Sequence, residues 1–417
     1  MTTEDRMTID ERYKYLRKMK ARYVKGGRKE RKQLLDEMEQ VTGLHRKSLI
    51  RLLSSPLERT PRTRQRGKTY GGEVDAAIDV ISAALDYPCA ERLTPNLAWM
   101  AKHLASHQEL EVSDVLLEQL ECISISTVER RLHSMRPRQP RRPRKVPRGP
   151  NAALQGVPME RIPWNIQEPG HLEIDLVHHC GPSASGEYVH TLQMVDVLTG
   201  WSERRAILGR SYVVTQDAFR YEMKRLPFPV RKAHPDNGPE FFNSHIRRFW
   251  AEEHPEVQLS RSRPYHPNDN PFIEQRNANP VRAYVGYDRL DTVAQTLALN
   301  ELYELMWLYC NFFQPVMRVA EKIVVTEEGQ PTRIRRRYDQ ARPPFDRLCE
   351  LEVLAPDVQA QLSALREQTN PRQLLAHIEA QLEYLFSLPC RTPDHPEVVY
   401  DTLSEIPDPR PEREVAQ

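Results

Sequence analysis

Residues 136–150, RPRQPRRPRKVPRGP, contain seven basic residues, five prolines and no acid. Proline withholds backbone donors and the cations repel one another, so this stretch cannot bury a core and is expected to run extended. It divides a 417-residue chain whose length already calls for roughly two to four domains. Its charge is gratuitous in a neutral spacer, whereas an unopposed basic strand can follow a phosphate backbone or enter a minor groove. Arg138, Arg141, Arg142, Arg144 and Lys145 are therefore expected nucleic-acid contacts.

The net charge of +2 conceals an asymmetry. Residues 1–70 carry 20 Lys/Arg against 9 Asp/Glu, and residues 351–417 carry 5 against 12. The N-terminal part suits a polyanionic partner and the tail does not. Within residues 1–55, Thr8 and Glu11 form a capping-box pattern, with Ile9, Tyr13, Leu16, Met19 and Tyr23 at helical spacing behind it. A second apolar set, Leu34, Leu35, Met38 and Val41, ends at Thr42-Gly43. A short helix then follows with Leu49, Ile50, Leu52 and Leu53 as its core face. Helix, Gly-containing turn, helix is the helix-turn-helix pattern, and Arg46, Lys47 and Arg51 fall off the apolar face, where phosphates and base edges could be met. Residues 73–135 suggest a second module, with a capping box at Ser126 and Glu129 and with Arg130 and Arg131 on its open side.

Six widely scattered cysteines without a C-x-x-C pair suit reduced thiols in a cytosolic compartment. His103 and His107, and the run His178-His179-Cys180, lack a completing partner at zinc-site spacing, so no structural zinc is expected. No apolar run approaches the roughly 20 residues of a membrane span, so no membrane partner is expected, nor a small-molecule cofactor.

Beyond the linker the periodicity changes. HLEIDLVHH alternates, with Leu172, Ile174 and Leu176 on one face and Glu173, Asp175 and Val177 on the other. GEYVHTLQMVDVLTG and SERRAILG continue as strands of a meander. Helices over Val213–Arg225 and Ser244–Glu252 then alternate with short strands in VRKAHPDNG and VQLSRS, which gives a mixed α/β sheet. Asp175 lies within the first strand and Asp236 ends a later one. Glu274 follows a turn, RSRPYHPNDNPFIEQRN, in which Asn270 and Pro271 read as the start of a helix. Three such acids meeting at one sheet edge would offer hard oxygen ligands for Mg²⁺ or Mn²⁺. Two of these ions about 4 Å apart serve in-line phosphoryl displacement.

The flanking residues sharpen this. HLEIDLV, HPDNGPEF and RPYHPNDNPFIEQRN, with 37 residues between the second Asp and the Glu, resemble the DDE transposases and retroviral-type integrase cores. The similarity is strongest to bacterial insertion-sequence transposases, which also resemble this chain in GYDRLDT and RRRYDQARPPFDRL. It covers about residues 163–345. The resemblance implies an RNase H-like fold, Asp175, Asp236 and Glu274 as catalytic metal-binding acids with two ions per site, and a homo-multimer bridging double-stranded DNA ends. It further implies a cytoplasmic, nucleoid-associated bacterial protein. Gln275, Arg276 and Arg282, on or near the helix of Glu274, could touch the DNA end.

The expected fold is therefore multidomain, with N-terminal all-α helix-turn-helix modules, a central α/β RNase H-like mixed sheet, a small β element and C-terminal helices. The expected divisions are 1–55 and 73–135 as DNA-binding domains, 136–162 as basic linker and 163–298 as catalytic core. A strongly apolar helix from about Glu301 and a basic hairpin around Glu328-Gly329 fill 299–350, C-terminal helices fill 351–390, and 391–417 form an acidic disordered tail. Such a chain would bind terminal inverted repeats, hydrolyse DNA ends and join their 3′ hydroxyls to target DNA. The alternatives are a catalytically silent DNA-binding regulator and a metal-dependent nuclease of the same fold.

Overall fold

The computed structural model describes residues 7–57, 70–135, 166–235, 241–260, 281–325, 333–392 and 396–404. The chain forms two compact units, Met1–Thr69 and Tyr70–Gln417.

Among its described residues the first unit holds three helices, α1 (Ile9–Lys25), α2 (Arg28–Thr42) and α3 (Arg46–Leu53). The Thr8–Glu11 capping box closes α1 as the sequence indicates, satisfying two otherwise orphaned donors at its start. Gly43 ends α2 in the left-handed region at φ +66°, where a Cβ would be strained. Leu16, Met19, Leu34, Leu35, Met38, Leu49, Leu53 and Leu57 form the core. Leu49 and Leu53, four apart, share the buried face of α3, whereas Ile50, one residue and about 100° further round, is exposed.

The second unit opens with α4 (Gly72–Ala84), α5 (Ala90–Leu93), a 3₁₀ turn (Thr94–Asn96), α6 (Leu97–Ser106), α7 (Asp114–Cys122) and α8 (Ile125–Met135). These helices share one apolar core with the sheet that follows. Helix α8 begins at Ile125, so Ser126 lies inside its first turn rather than before it. The Ser124 carbonyl accepts from the Thr127 and Val128 amides at that start.

Strands β1 (His171–His178), β2 (Val189–Asp196) and β3 (Ser202–Leu208) form an antiparallel meander, and α9 (Tyr212–Arg225) leads to β4 (Lys232–Pro235), which runs parallel to β1. After α10 (Ser244–Glu253), β5 (Gln258–Leu259) pairs parallel to β4. The resulting order, β3-β2-β1-β4-β5, with the first three strands antiparallel and the last two parallel to β1, is the RNase H-like sheet. Helix α11 (Arg282–Tyr284), the long α12 (Val293–Phe312), the hairpin β6 (Val319–Val325) with β7 (Arg333–Tyr338), then α13 (Pro344–Glu350), α14 (Pro356–Gln368) and α15 (Pro371–Ser387) complete the unit. Asn370 caps α15 through the Arg372 and Gln373 amides, with Pro371 at the first helical position, where its missing N–H costs nothing. The basic hairpin is present as two strands, and its turn lies outside the described residues.

Strand β1 is buried on both faces: Leu172, Ile174 and Leu176 on one, Glu173 and Val177 on the other. Both faces are covered. Arg205, in register with Leu192 and through it with Leu176, lies over the Tyr221 ring of α9. On the opposite face, Thr191 bonds the Tyr303 hydroxyl of α12 at 2.5 Å. Helix α12 begins at a Thr292–Gln295 capping box, eight residues before Glu301, because that box rather than hydrophobicity marks its start.

Helix α12 also closes the open edge of β3. The Asn300 amide oxygen accepts from the Ala206 N–H (2.7 Å) and its NH₂ donates to the Ala206 carbonyl (3.1 Å). Four residues back along the strand, Asn311 makes the same pair of bonds to Ser202, at 3.0 Å each. An exposed edge strand invites pairing with another chain, and two side-chain amides occupy those groups here. Asn300→Leu leaves a buried N–H and C=O without partners and is expected to lower stability by about 2–4 kcal/mol. Urea denaturation of the variant measures this, and an unchanged midpoint would refute the role of Asn300.

Candidate active site

Asp175 is half-buried in the middle of β1, directly opposite Gln193 of β2. On its other side β4 runs parallel, with Ile174 in register with Pro235, the last residue of that strand. Gly170 sets this register. At φ +99° its N–H donates to the buried Asp196 carboxylate (2.8 Å) and its carbonyl accepts from the Arg231 and Lys232 amides. A Cβ there would lie 2.3 Å from the Pro229 carbonyl oxygen, so only glycine lets the two strands start together. His234, within β4, is buried and bonds Ser260 at 2.8 Å, which ties the end of β4 to the end of β5.

At the far end of β1 the Arg282 guanidinium donates to the His178 carbonyl (2.8 Å) and the Gly286 carbonyl (3.0 Å), and lies over the Tyr287 ring. Burial lowers its pKa, against an opposing pull from Tyr287, Tyr303, Cys180 and Asp175. Arg282 is thus turned into the fold, and the expectation that it reaches toward DNA is corrected: backbone carbonyls hold its donors. His179 is fully buried, bonded to Thr191 at 2.8 Å, and burial pushes its pKa down to about 3. His190 is pushed down to about 2, chiefly by burial and then by the neighbouring His178 and His179. Both rings are therefore neutral at ordinary pH. Beside them His178 and His190 meet edge to face at 4.8 Å.

Two stretches that drew attention in the sequence prove to be clamps. In GYDRLDT, Arg289 donates to the Ser183, Ser185 and Glu187 carbonyls of the β1–β2 loop and pairs with Asp291 at 2.6 Å, while Thr292 caps α12. In RRRYDQARPPFDRL, Arg347 pairs with Asp339 at 2.6 Å and donates to the Val316 carbonyl. No local signal distinguishes these arginines from ligand-binding ones, because the backbone carbonyls they hold lie far off in sequence, even though Asp291 and Asp339 are near.

The expected nucleic-acid contacts divide similarly. Lys47, Arg51 and Arg130 are exposed. Arg46 is held by Asp36, and Arg131 by Asp75 together with the Tyr70 ring and carbonyl. His103 and His107 bond the Thr369 and Glu367 carbonyls at the end of α14, a fastening between helices. Asp236, Glu274, Gln275, Arg276, Arg138, Arg141, Arg142, Arg144 and Lys145 lie outside the described residues. Among the described residues no three His, Cys, Asp or Glu side chains converge on a metal position, and no helix is long and apolar enough to cross a membrane.

No known family profile matches the sequence. The uncharacterized protein y4rM of Sinorhizobium fredii (strain NBRC 101917 / NGR234) is 34% identical over 327 residues, 78% of this chain and 91% of the relative. The chain belongs to the y4rM family. Similar solved structures include the catalytic core of BIV integrase (TM-score 0.26, 15% identity, 35% of this chain and 85% of that one). The HTLV-2 integrase core in complex with magnesium gives TM-score 0.26 at 15% identity, covering 36% of this chain and 90% of that one. A simian T-cell lymphotropic virus intasome in complex with PP2A regulatory subunit B56 gamma gives 0.29 at 12% identity, covering 52% and 69%. The sheet order of this chain identifies its fold without recourse to such distant superpositions.

Proposed function

We propose that the chain is a DDE-type DNA transposase, a polynucleotidyl transferase that cleaves the ends of a mobile element and joins their 3′ hydroxyls to target DNA. The observation that carries this reading is the position of Asp175, mid-strand in β1 of an RNase H-like sheet and beside the end of the parallel strand that precedes Asp236 in sequence. Asp175, Asp236 and Glu274 would hold two Mg²⁺ or Mn²⁺ ions. The donor chemistry fits, since carboxylate oxygens are what hard, labile divalent ions take. When bound, such ions activate the attacking oxygen and neutralise the leaving one.

Water attacks first and the freed DNA 3′ oxygen second, so no covalent enzyme intermediate is required. Lys47 and Arg51, four apart on the open face of α3, would meet the phosphates of a terminal repeat, with Arg130 and the basic linker adding further contacts. The active form would be a homo-multimer bridging two DNA ends, in the bacterial nucleoid. Incubation with a labelled element end and a plasmid separates this reading from its rivals. A transposase joins label to plasmid, a nuclease of the same fold only cuts, and a silent regulator does neither.

A further inference from the structure

Asp175, Gln193 and Arg204 stand in one row across β1, β2 and β3, in direct register. Side chains so opposed share a face of the sheet, with Cβ atoms about 4.5–5.5 Å apart between neighbours. Gln193 is fully buried, and among the described residues neither its amide oxygen nor its amide nitrogen has a hydrogen-bond partner. Buried amides are rarely left so, and one that is retained points to a partner acquired in another state. On its far side Arg204 is 5% exposed; it donates to Ser202 at 2.9 Å, and its Nε is likewise without a partner among the described residues. An acceptor on one flank and a donor on the other fix which way round the amide must lie.

We propose that Gln193 is a positioning residue for Asp175: its NH₂ donates to a carboxylate oxygen of Asp175 and its carbonyl accepts from Arg204, aiming the carboxylate at the divalent ion. Ligating carboxylates depend on such outer hydrogen bonds, and their loss typically weakens metal affinity or activity about 10–100-fold. The inference rests on Asp175 being a metal ligand, as the proposed function holds.

Leucine matches the volume of Gln193 and removes both orphaned groups. Gln193→Leu is therefore expected to be at least as stable to urea as the parent. Its Mn²⁺ affinity, measured by titration calorimetry without DNA, should fall about 10–100-fold, with the Mg²⁺ midpoint for end cleavage shifting alike. A group that only packs the strand would move stability and leave metal affinity alone. If Gln193→Leu does not fold, Gln193→Met, unbranched and of equal length, is measured instead. Asp175→Ala is the reference. If it binds Mn²⁺ and cleaves like the parent, the reading of the site itself has failed. If it loses both while the Gln193 variant matches the parent, only the role of Gln193 is overturned.

Discussion

Asp175→Ala is expected to lower DNA end cleavage and joining at least about a thousandfold, equivalent to about 4 kcal/mol of transition-state stabilisation, while terminal-repeat binding persists. The side chain lies in the middle of β1, which is paired on its two sides with β2 and β4. On the proposed function, removing it takes away a metal ligand that its cross-strand neighbour Gln193, a neutral amide, cannot replace. Binding should survive, because Lys47 and Arg51 belong to the other compact unit, with a core of its own. Gel-shift and 3′-end joining assays on one preparation test both halves. Undiminished joining would remove Asp175 from the chemistry, and lost binding would show that the two units do not act separately.

Acid should destabilise the second unit through His179 and His190 by about 2 kcal/mol each between pH 7 and pH 5. Both have folded-state pKa values depressed to about 3 and about 2, below the ordinary 6.5. The unfolded chain therefore gains a proton at each as pH drops below 6.5, and the folded chain does not until about pH 3. Glu222 works in the opposite sense. It is fully buried, neither carboxylate oxygen has a partner among the described residues, and burial, then the nearby Glu203, raises its pKa well above 4.5. Folded Glu222 keeps its proton while the unfolded residue sheds it, so its contribution falls as pH rises above 4.5. Urea midpoints at pH 7 and pH 5 separate the two effects. His190→Gln should remove about 2 kcal/mol of the loss toward acid, and Glu222→Gln should raise stability at pH 7 relative to pH 5. Parallel behaviour of all three proteins would contradict the burial argument.

The local features of this chain were legible because their causes are local. A Thr8–Glu11 box, an Asn370-Pro371 start and the alternation of β1 to β3 depend on residues within about one turn or two strand positions of each other. Helix α12 shows the limit of even that. Its apolar stretch suggests a start near Glu301, while the Thr292–Gln295 box begins it a full two turns earlier. The burial of both faces of β1 was not legible, since alternation reports which residues share a face and not what covers each face.

The sequence by itself determined the order of elements, the all-α character of the first unit, the mixed sheet, and the placing of Asp175 within its first strand. Only the tertiary structure decided which of the many arginines are fastened inside the fold. Arg131 finds Asp75, Arg289 gathers a loop about a hundred residues away, and Arg282 turns to the His178 carbonyl. It also decided that α4–α8 share their core with the five-stranded sheet and that Asn300 and Asn311 seal its edge. Periodicity is set by backbone geometry over a few residues. Charge pairing and edge closure are set by which distant segments the buried apolar surface brings together, and the same arginine serves either end until that surface is assembled.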